Sequence, residues 1–192
     1  RTMEIERLIA RSLRGVVNLE ELGPLSLTVD CDILNADGGT RCASITAASI
    51  ALRLAIRRLI DSGDCLPLEK RLDLDLENIE LSSEEKIAHE KAVMTHDVSA
   101  ISVGLIGDDV YLDLDYVLDS NADVDMNVVM TSNGEFVEIQ GTGEESTFSS
   151  LFFSVLSILE FTISSELDSC WSKSSSKPSS KKRFSSNCCV KC

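Results

Sequence analysis

The sequence predicts an α+β fold, a mixed β-sheet with packed helices. Apolar residues recur at the helical period in three stretches, four strand-like segments follow one another between residues 98 and 140, and an Asn-Gly pair separates two of them. Met3, Ile5, Leu8, Ile9, Leu13, Val16 and Val17 give the first helical stretch, with Thr2 able to cap it and Glu4 and Glu6 in its positive first turn. Gly23-Pro24 interrupts it. Leu25, Leu27, Val29, Cys31 and Ile33 then alternate with Ser26, Thr28, Asp30 and Asp32, which predicts a half-buried strand. A turn with two adjacent glycines leads into a helix from about Ser44 to Asp61. This helix is apolar around much of its circumference, hence central, and Gly63 ends it. Residues 64–97 are rich in Asp and Glu and read as an acidic insertion, either a short edge strand through Leu72, Leu74 and Leu76 or a solvated arm. Strands follow at Val98–Ile106, Val110–Val117, Asn127–Thr131 and Glu135–Gln140, the last two joined at Asn133-Gly134. A final helix from Phe148 to Leu167 completes a domain over residues 1–168, and residues 169–192 read as a disordered Ser/Lys/Cys-rich tail.

Composition narrows the function. A chain of 192 residues with 43% hydrophobic content can bury a core, which excludes wholesale disorder, and no apolar run is long enough to span a bilayer. With 18 Lys and Arg against 32 Asp and Glu, the net charge of -14 argues against an unspecific basic wrapper of nucleic acid, so any phosphate or RNA site must be local. The chain opens at Arg1 with a helix already in progress, no signal peptide is visible, and a fragment lacking its natural N-terminus is expected. Seven cysteines, an odd number, with Cys31, Cys42, Cys65 and Cys170 scattered and Cys188, Cys189 and Cys192 clustered in the tail, argue against a disulfide framework.

Two segments carry candidate chemistry. The first is Asp37-Gly38-Gly39-Thr40-Arg41-Cys42-Ala43-Ser44, between a predicted strand and a predicted helix. Glycines admit an oxyanion close to backbone N–H groups, a helix N-terminus adds partial positive charge, and Thr40 and Arg41 add a hydroxyl and a guanidinium fork. On spacing alone, an ordinary turn capped by Thr40 or Ser44 explains the same residues. The second segment gathers Asp113, Asp115, Asp119, Asp123 and Asp125 ahead of the apolar Val128-Val129-Met130. Carboxylates entering a sheet core are costly unless paired or liganding a cation, and two of them suit a general acid and a Mg²⁺ ligand. Asp113 and Asp115, on one strand face, read as solvated; Asp119 and Asp125 are the candidates.

Three segments together resemble ribonuclease PH: RTMEIERLIARSLR over residues 1–14, DCDILNADGGTRCASIT over 30–46, and DLDYVLDSNADVDMNVVM over 113–130, with EFVEIQG over 135–141 also fitting. The resemblance covers residues 1–63 and 98–150. It implies the ribonuclease PH-type fold, lacking its N-terminal strands, and a phosphorolytic 3′-to-5′ exoribonuclease (a tRNA nucleotidyltransferase). Such an enzyme trims tRNA precursors and other RNAs such as rRNA, releases nucleoside diphosphates, and works as a hexameric ring, a trimer of dimers. It also implies that Arg1, Gly39, Thr40 and Arg41 bind inorganic phosphate as co-substrate, and that Asp119 and Asp125 are the catalytic carboxylates, aided by Mg²⁺. Cys42 stands where the family usually has Thr, and Leu118 where it usually has Glu. The alternatives are a noncatalytic RNA-binding or ring-scaffold subunit of the same fold and an inactive fragment. A cytoplasmic protein without a membrane partner is expected, or an organellar one if a transit peptide has been lost.

Overall fold

The structure, a computed structural model, describes residues 2–71, 80–143 and 147–149. In chain order its elements are α1 (Thr2–Arg14), α2 (Leu19–Leu22), α3 (Thr40–Asp61), α4 (Leu68–Arg71), α5 (Ser83–Val93), β1 (Val98–Ile106), β2 (Asp109–Leu112), α6 (Tyr116–Ser120), β3 (Val124–Thr131) and β4 (Phe136–Gly143). The strands form one sheet in the order β2-β1-β3-β4, antiparallel at every pairing rather than mixed. The architecture is α+β, with helices on one face of an antiparallel sheet.

Alternation along β3 sorts the two faces. Val124, Met126, Val128 and Met130 point one way and pack with Val103, Ile101, Leu105, Ile139 and Phe148. Asp125, Asn127, Val129 and Thr131 point the other way, the side on which Val129 joins the helix-covered core. That core packs Leu8 and Leu13 of α1, Ile45, Ala48, Leu52, Ile56 and Ile60 of α3, and Val93 and Val98. Burying one such aliphatic side chain is worth about 1.5–3 kcal/mol.

Side chains of α3 also bond the edge of β1. Strand β2 pairs only Val103–Ile106, so the N–H groups of Val98 and Ala100 have no strand beside them. Ser49 Oγ accepts from Val98 N at 3.2 Å and Thr46 Oγ1 from Ala100 N at 3.1 Å. Buried Arg53 reaches Asp97 Oδ1 at 2.7 Å and Glu90 Oε1 of α5 at 3.0 Å, tying both to α3.

Several expectations change. The segment 25–33 keeps its alternation, with Leu25, Leu27 and Cys31 packed on the core, yet it forms no ladder among the described residues. Within residues 64–97 the structure forms α5 rather than a solvated arm, opened by a capping box between Ser82 and Glu85 and burying His89, Glu90 and Val93. The strand expected over Val110–Val117 stops at Leu112. Asp113 turns the chain with φ 55°, Leu114 N and Asp113 N bond Ser102, and Asp115 caps α6, so Asp113 and Asp115 do not share a strand face. The Asn133-Gly134 turn stands as expected, Gly134 at φ 80°. Cys42 and Cys65 are buried free thiols. Phe148 and Ser149 are not helical. The rest of the predicted last helix, the possible strand through Leu72–Leu76, the tail and Arg1 lie outside the described residues. No helix among those described is long and apolar enough to cross a membrane.

Two outcomes follow from this packing. His89 is buried, with Nε2 3.5 Å from Cys65 Sγ and Nδ1 3.7 Å from Glu21 Oε2. Burial lowers its pKa below 6.5, Glu21 opposing and Arg71 assisting. The unfolded chain then takes up the proton first, so this contribution to stability is complete above about pH 6.5 and is lost as pH falls below it. Denaturation midpoints at pH 7.5 and 5.5 should differ more for the parent than for His89→Gln; equal differences would refute the assignment. At Asp113 the left-handed backbone costs an L-residue about 1–2 kcal/mol. Urea titration should find Asp113→Gly within about 0.5 kcal/mol of the parent and Asp113→Val less stable by about 1–2 kcal/mol.

Candidate functional site

The helix-facing side of the sheet is apolar at one end and polar at the other. Along β1 it passes from Val98 and Ala100 to Ser102 and Gly104; along β3, from Val129 to Asn127 and Asp125, paired in register with Ser102 and Gly104. The N-terminus of α3 lies over the polar end, where the Cys42 thiol donates to Asn127 Oδ1 at 3.1 Å.

Helix α3 begins at Thr40, four residues earlier than its apolar period indicates, which puts Thr40 and Arg41 in its first turn. Its N-cap is Gly39, at φ 68° and with no side-chain cap, so neither Thr40 nor Ser44 caps it. Ser44 Oγ instead donates back to Thr40 O at 2.8 Å. The first helical bond runs from Ala43 N to Gly39 O, which leaves the N–H groups of Thr40, Arg41 and Cys42 without intrahelical partners. Arg41 makes no ion pair among the described residues. Both glycines of the loop are required for different reasons. Gly39 supplies a left-handed backbone, whereas a Cβ on Gly38 would collide with the carbonyl of Leu114.

The five carboxylates divide by what they already hold. Asp115 Oδ1 caps α6 by accepting from Leu118 N at 2.8 Å, and Asp123 Oδ2 accepts from Gly107 N at 2.7 Å. Asp113 is exposed in its turn. Asp119 lies in the last turn of α6, half-buried, its carboxylate making no hydrogen bond or ion pair among the described residues. Asp125 is half-buried on β3, opposite Gly104 and Thr142. Leu114, buried against Gly104 and Ala122, anchors the turn between them.

Cys42 reports that these groups converge. Its thiol is pushed up to about 12, by burial first, then by Asp125, with Arg41 opposing and Asp113 and Asp119 adding smaller contributions. At that value it stays protonated, a buried hydrogen-bond donor rather than a nucleophile. The structure thus sets the start of α3, with Gly39, Thr40 and Arg41, over the end of β3 that carries Asn127 and Asp125, and the Cys42 thiol there feels the charges of Arg41, Asp119 and Asp125. Sequence reasoning missed Ser102, Asn127 and Asp37, whose Oδ1 accepts from both Gly38 N and Tyr116 N. For Asn127 a signal existed, since it shares the period-2 face of Asp125. Among the described residues no group of three or more His, Cys, Asp or Glu gathers as a metal site. Two aspartates nonetheless suit Mg²⁺, a hard cation commonly held by one or two carboxylates, waters and substrate phosphates.

Comparison with known proteins identifies the family. Residues 1–57 match the model of the 3′ exoribonuclease family, domain 1, and residues 96–157 match that of domain 2. A ribonuclease PH of Rhodopirellula baltica is 54% identical over 148 residues, 77% of this chain and 52% of that protein. One from Exiguobacterium sibiricum is 48% identical over 149 residues, 78% of this chain and 50% of that protein. The chain therefore spans about half the length of the curated relatives it matches. Its fold is similar to a chain of the Archaeoglobus fulgidus exosome with RNA bound to the active site, at a TM-score of 0.60 and 18% identity, covering 88% of this chain and 61% of that one. With the models of both domains matched in order over residues 1–57 and 96–157, the chain belongs to the 3′ exoribonuclease family.

Proposed function

We propose that this chain carries the phosphorolytic site of a ribonuclease PH-type 3′-to-5′ exoribonuclease, which trims the 3′ ends of tRNA precursors and of rRNA. The observation that carries the reading is the uncapped start of α3 over the polar end of β3 that bears Asn127 and Asp125, with an Arg41 in its first turn that makes no ion pair among the described residues. Inorganic phosphate binds the free N–H groups of Thr40 and Arg41, the Thr40 hydroxyl and the Arg41 guanidinium, with Gly39 allowing close approach. Arg1 is a further phosphate contact. A phosphate oxygen attacks the last phosphodiester in line; its phosphorus–oxygen bond to the penultimate 3′ oxygen breaks, and a nucleoside diphosphate leaves. Asp119 and Asp125 are the catalytic carboxylates, one of them protonating the departing 3′ oxygen. Mg²⁺ on the same two aspartates would supply charge neutralisation when bound.

The active assembly is a homo-oligomeric ring, a hexamer built as a trimer of dimers, and the compartment is the cytoplasm or an organelle. A noncatalytic ring subunit of the same fold is the competing reading, and one experiment separates the two. Nucleoside diphosphate release from a 3′-extended tRNA should require inorganic phosphate in the parent chain and fall by a factor of about 10²–10⁴ in Asp125→Asn. Release that ignores phosphate, or is equal in both chains, would count against phosphorolysis here. Arg41→Ala should raise the phosphate KM roughly 10–100-fold, the worth of a charge-assisted hydrogen bond, with RNA affinity by filter binding unchanged. Equal loss of both would remove Arg41 from the phosphate.

A further inference from the structure

We propose that Asp37 is a positioning residue that couples the phosphate loop to the segment bearing Asp119; the proposal rests on the reading of the site given above. One oxygen of Asp37, Oδ1, accepts two backbone hydrogen bonds. One comes from Gly38 N at 2.9 Å, within the loop. The other comes from Tyr116 N at 2.7 Å, the first residue of α6 and 79 positions away in sequence. The short α6 moves as one turn, because Asp119 N bonds Asp115 O at 2.9 Å and Asp115 Oδ1 holds Leu118 N. A pull on Tyr116 is therefore a pull on Asp119.

The surroundings make this bond a coupling rather than a fold contact. The turn before α6 is already secured to β1, since Ser102 O accepts from Asp113 N and Ser102 Oγ from Leu114 N, both at 2.9 Å. Neither Asp37 nor Tyr116 belongs to either hydrophobic core. On the loop side, Gly38 sits flush against the carbonyl of Leu114, and a Cβ on Gly39 would lie 3.2 Å from Ser102 Oγ. The loop and the turn are in contact, and Asp37 is the charged hydrogen-bond acceptor between them. Phosphate seated at the start of α3 tightens the loop, and Asp37 passes that order to α6 and to Asp119.

The test uses the full chain with three variants. Asp37→Ala removes the acceptor. Asp37→Asn keeps an oxygen that can accept both bonds. Tyr116→Pro deletes the donor, along with an exposed ring, at the first helical position, where proline is tolerated. Amide hydrogen exchange by NMR at Leu118 and Asp119 should quicken about tenfold in Asp37→Ala and Tyr116→Pro but not in Asp37→Asn. Val128 and Met130 amides should stay unchanged, showing that the sheet is intact. In phosphorolysis, kcat should fall about tenfold in the first two variants, with the phosphate KM within about threefold of the parent's, and Asp37→Asn should recover. Unchanged exchange at Leu118 and Asp119 in Asp37→Ala and Tyr116→Pro would overturn the coupling. So would an Asp37→Asn as inactive as Asp37→Ala with its exchange protected, because the carboxylate would then act directly. A parent chain without phosphate-dependent release would instead sink the proposed function, and the exchange arm alone would then decide on the coupling.

Discussion

The position of α3 along the sheet is the constraint from which the site follows. Four polar contacts fix it lengthwise: Cys42 to Asn127, Thr46 to Ala100 N, Ser49 to Val98 N and Arg53 to Asp97. Two of these satisfy N–H groups that β1 exposes where β2 has ended, and a buried donor left without an acceptor costs about 1–3 kcal/mol. A shift of α3 by one turn would orphan both and strand a buried arginine. Hydrophobic packing alone tolerates such sliding far better, because it has no direction. With its axis set in this way, the helix begins over Ser102, Asn127 and Asp125.

The second requirement is a sheet face that changes character along its length. On the helix side of β3, Val129 serves the core while Asn127 and Asp125 serve the site, and Val124, Met126, Val128 and Met130 keep the opposite face apolar throughout. The same strand therefore stabilises and presents. The cost of bringing carboxylates near a core is limited because Asp119 and Asp125 remain half-buried and Asp115 and Asp123 are spent on backbone N–H groups. Beside these carboxylates Cys42 is buried, and it answers by staying neutral.

Where period and punctuation were strong, the sequence was legible. The strand at Val98–Ile106, the hairpin at Asn133-Gly134 and the central helix stand as the patterns indicate. Helix α5 escaped because its buried face carries His89 and Glu90, which hide the apolar period, although Ser82 and Glu85 spelled its capping box. The segment 25–33 shows what period 2 can say: it marks extended backbone with one face inward, and it is silent on whether a ladder partner lies alongside. The strand that stopped at Leu112 failed for a different reason. Asp113 takes a left-handed backbone there as Ser102 accepts from the N–H groups of Asp113 and Leu114, a contact across the hairpin that no local pattern announces.

By itself, then, the sequence determined the local grammar: which stretches are helical or extended, that a Gly-Gly-Thr-Arg turn precedes the central helix, and that aspartates cluster after β1. Local grammar is set by backbone sterics and by periodic burial, both readable over a few residues. Only the tertiary structure decided that Asp115 and Asp123 accept from backbone N–H groups, that Arg41 stands in the first turn of an uncapped helix, and that Asp37 accepts from Tyr116. Those outcomes depend on hydrogen-bond partners up to 85 positions apart, and a donor or acceptor is assigned only when folding has chosen its neighbour.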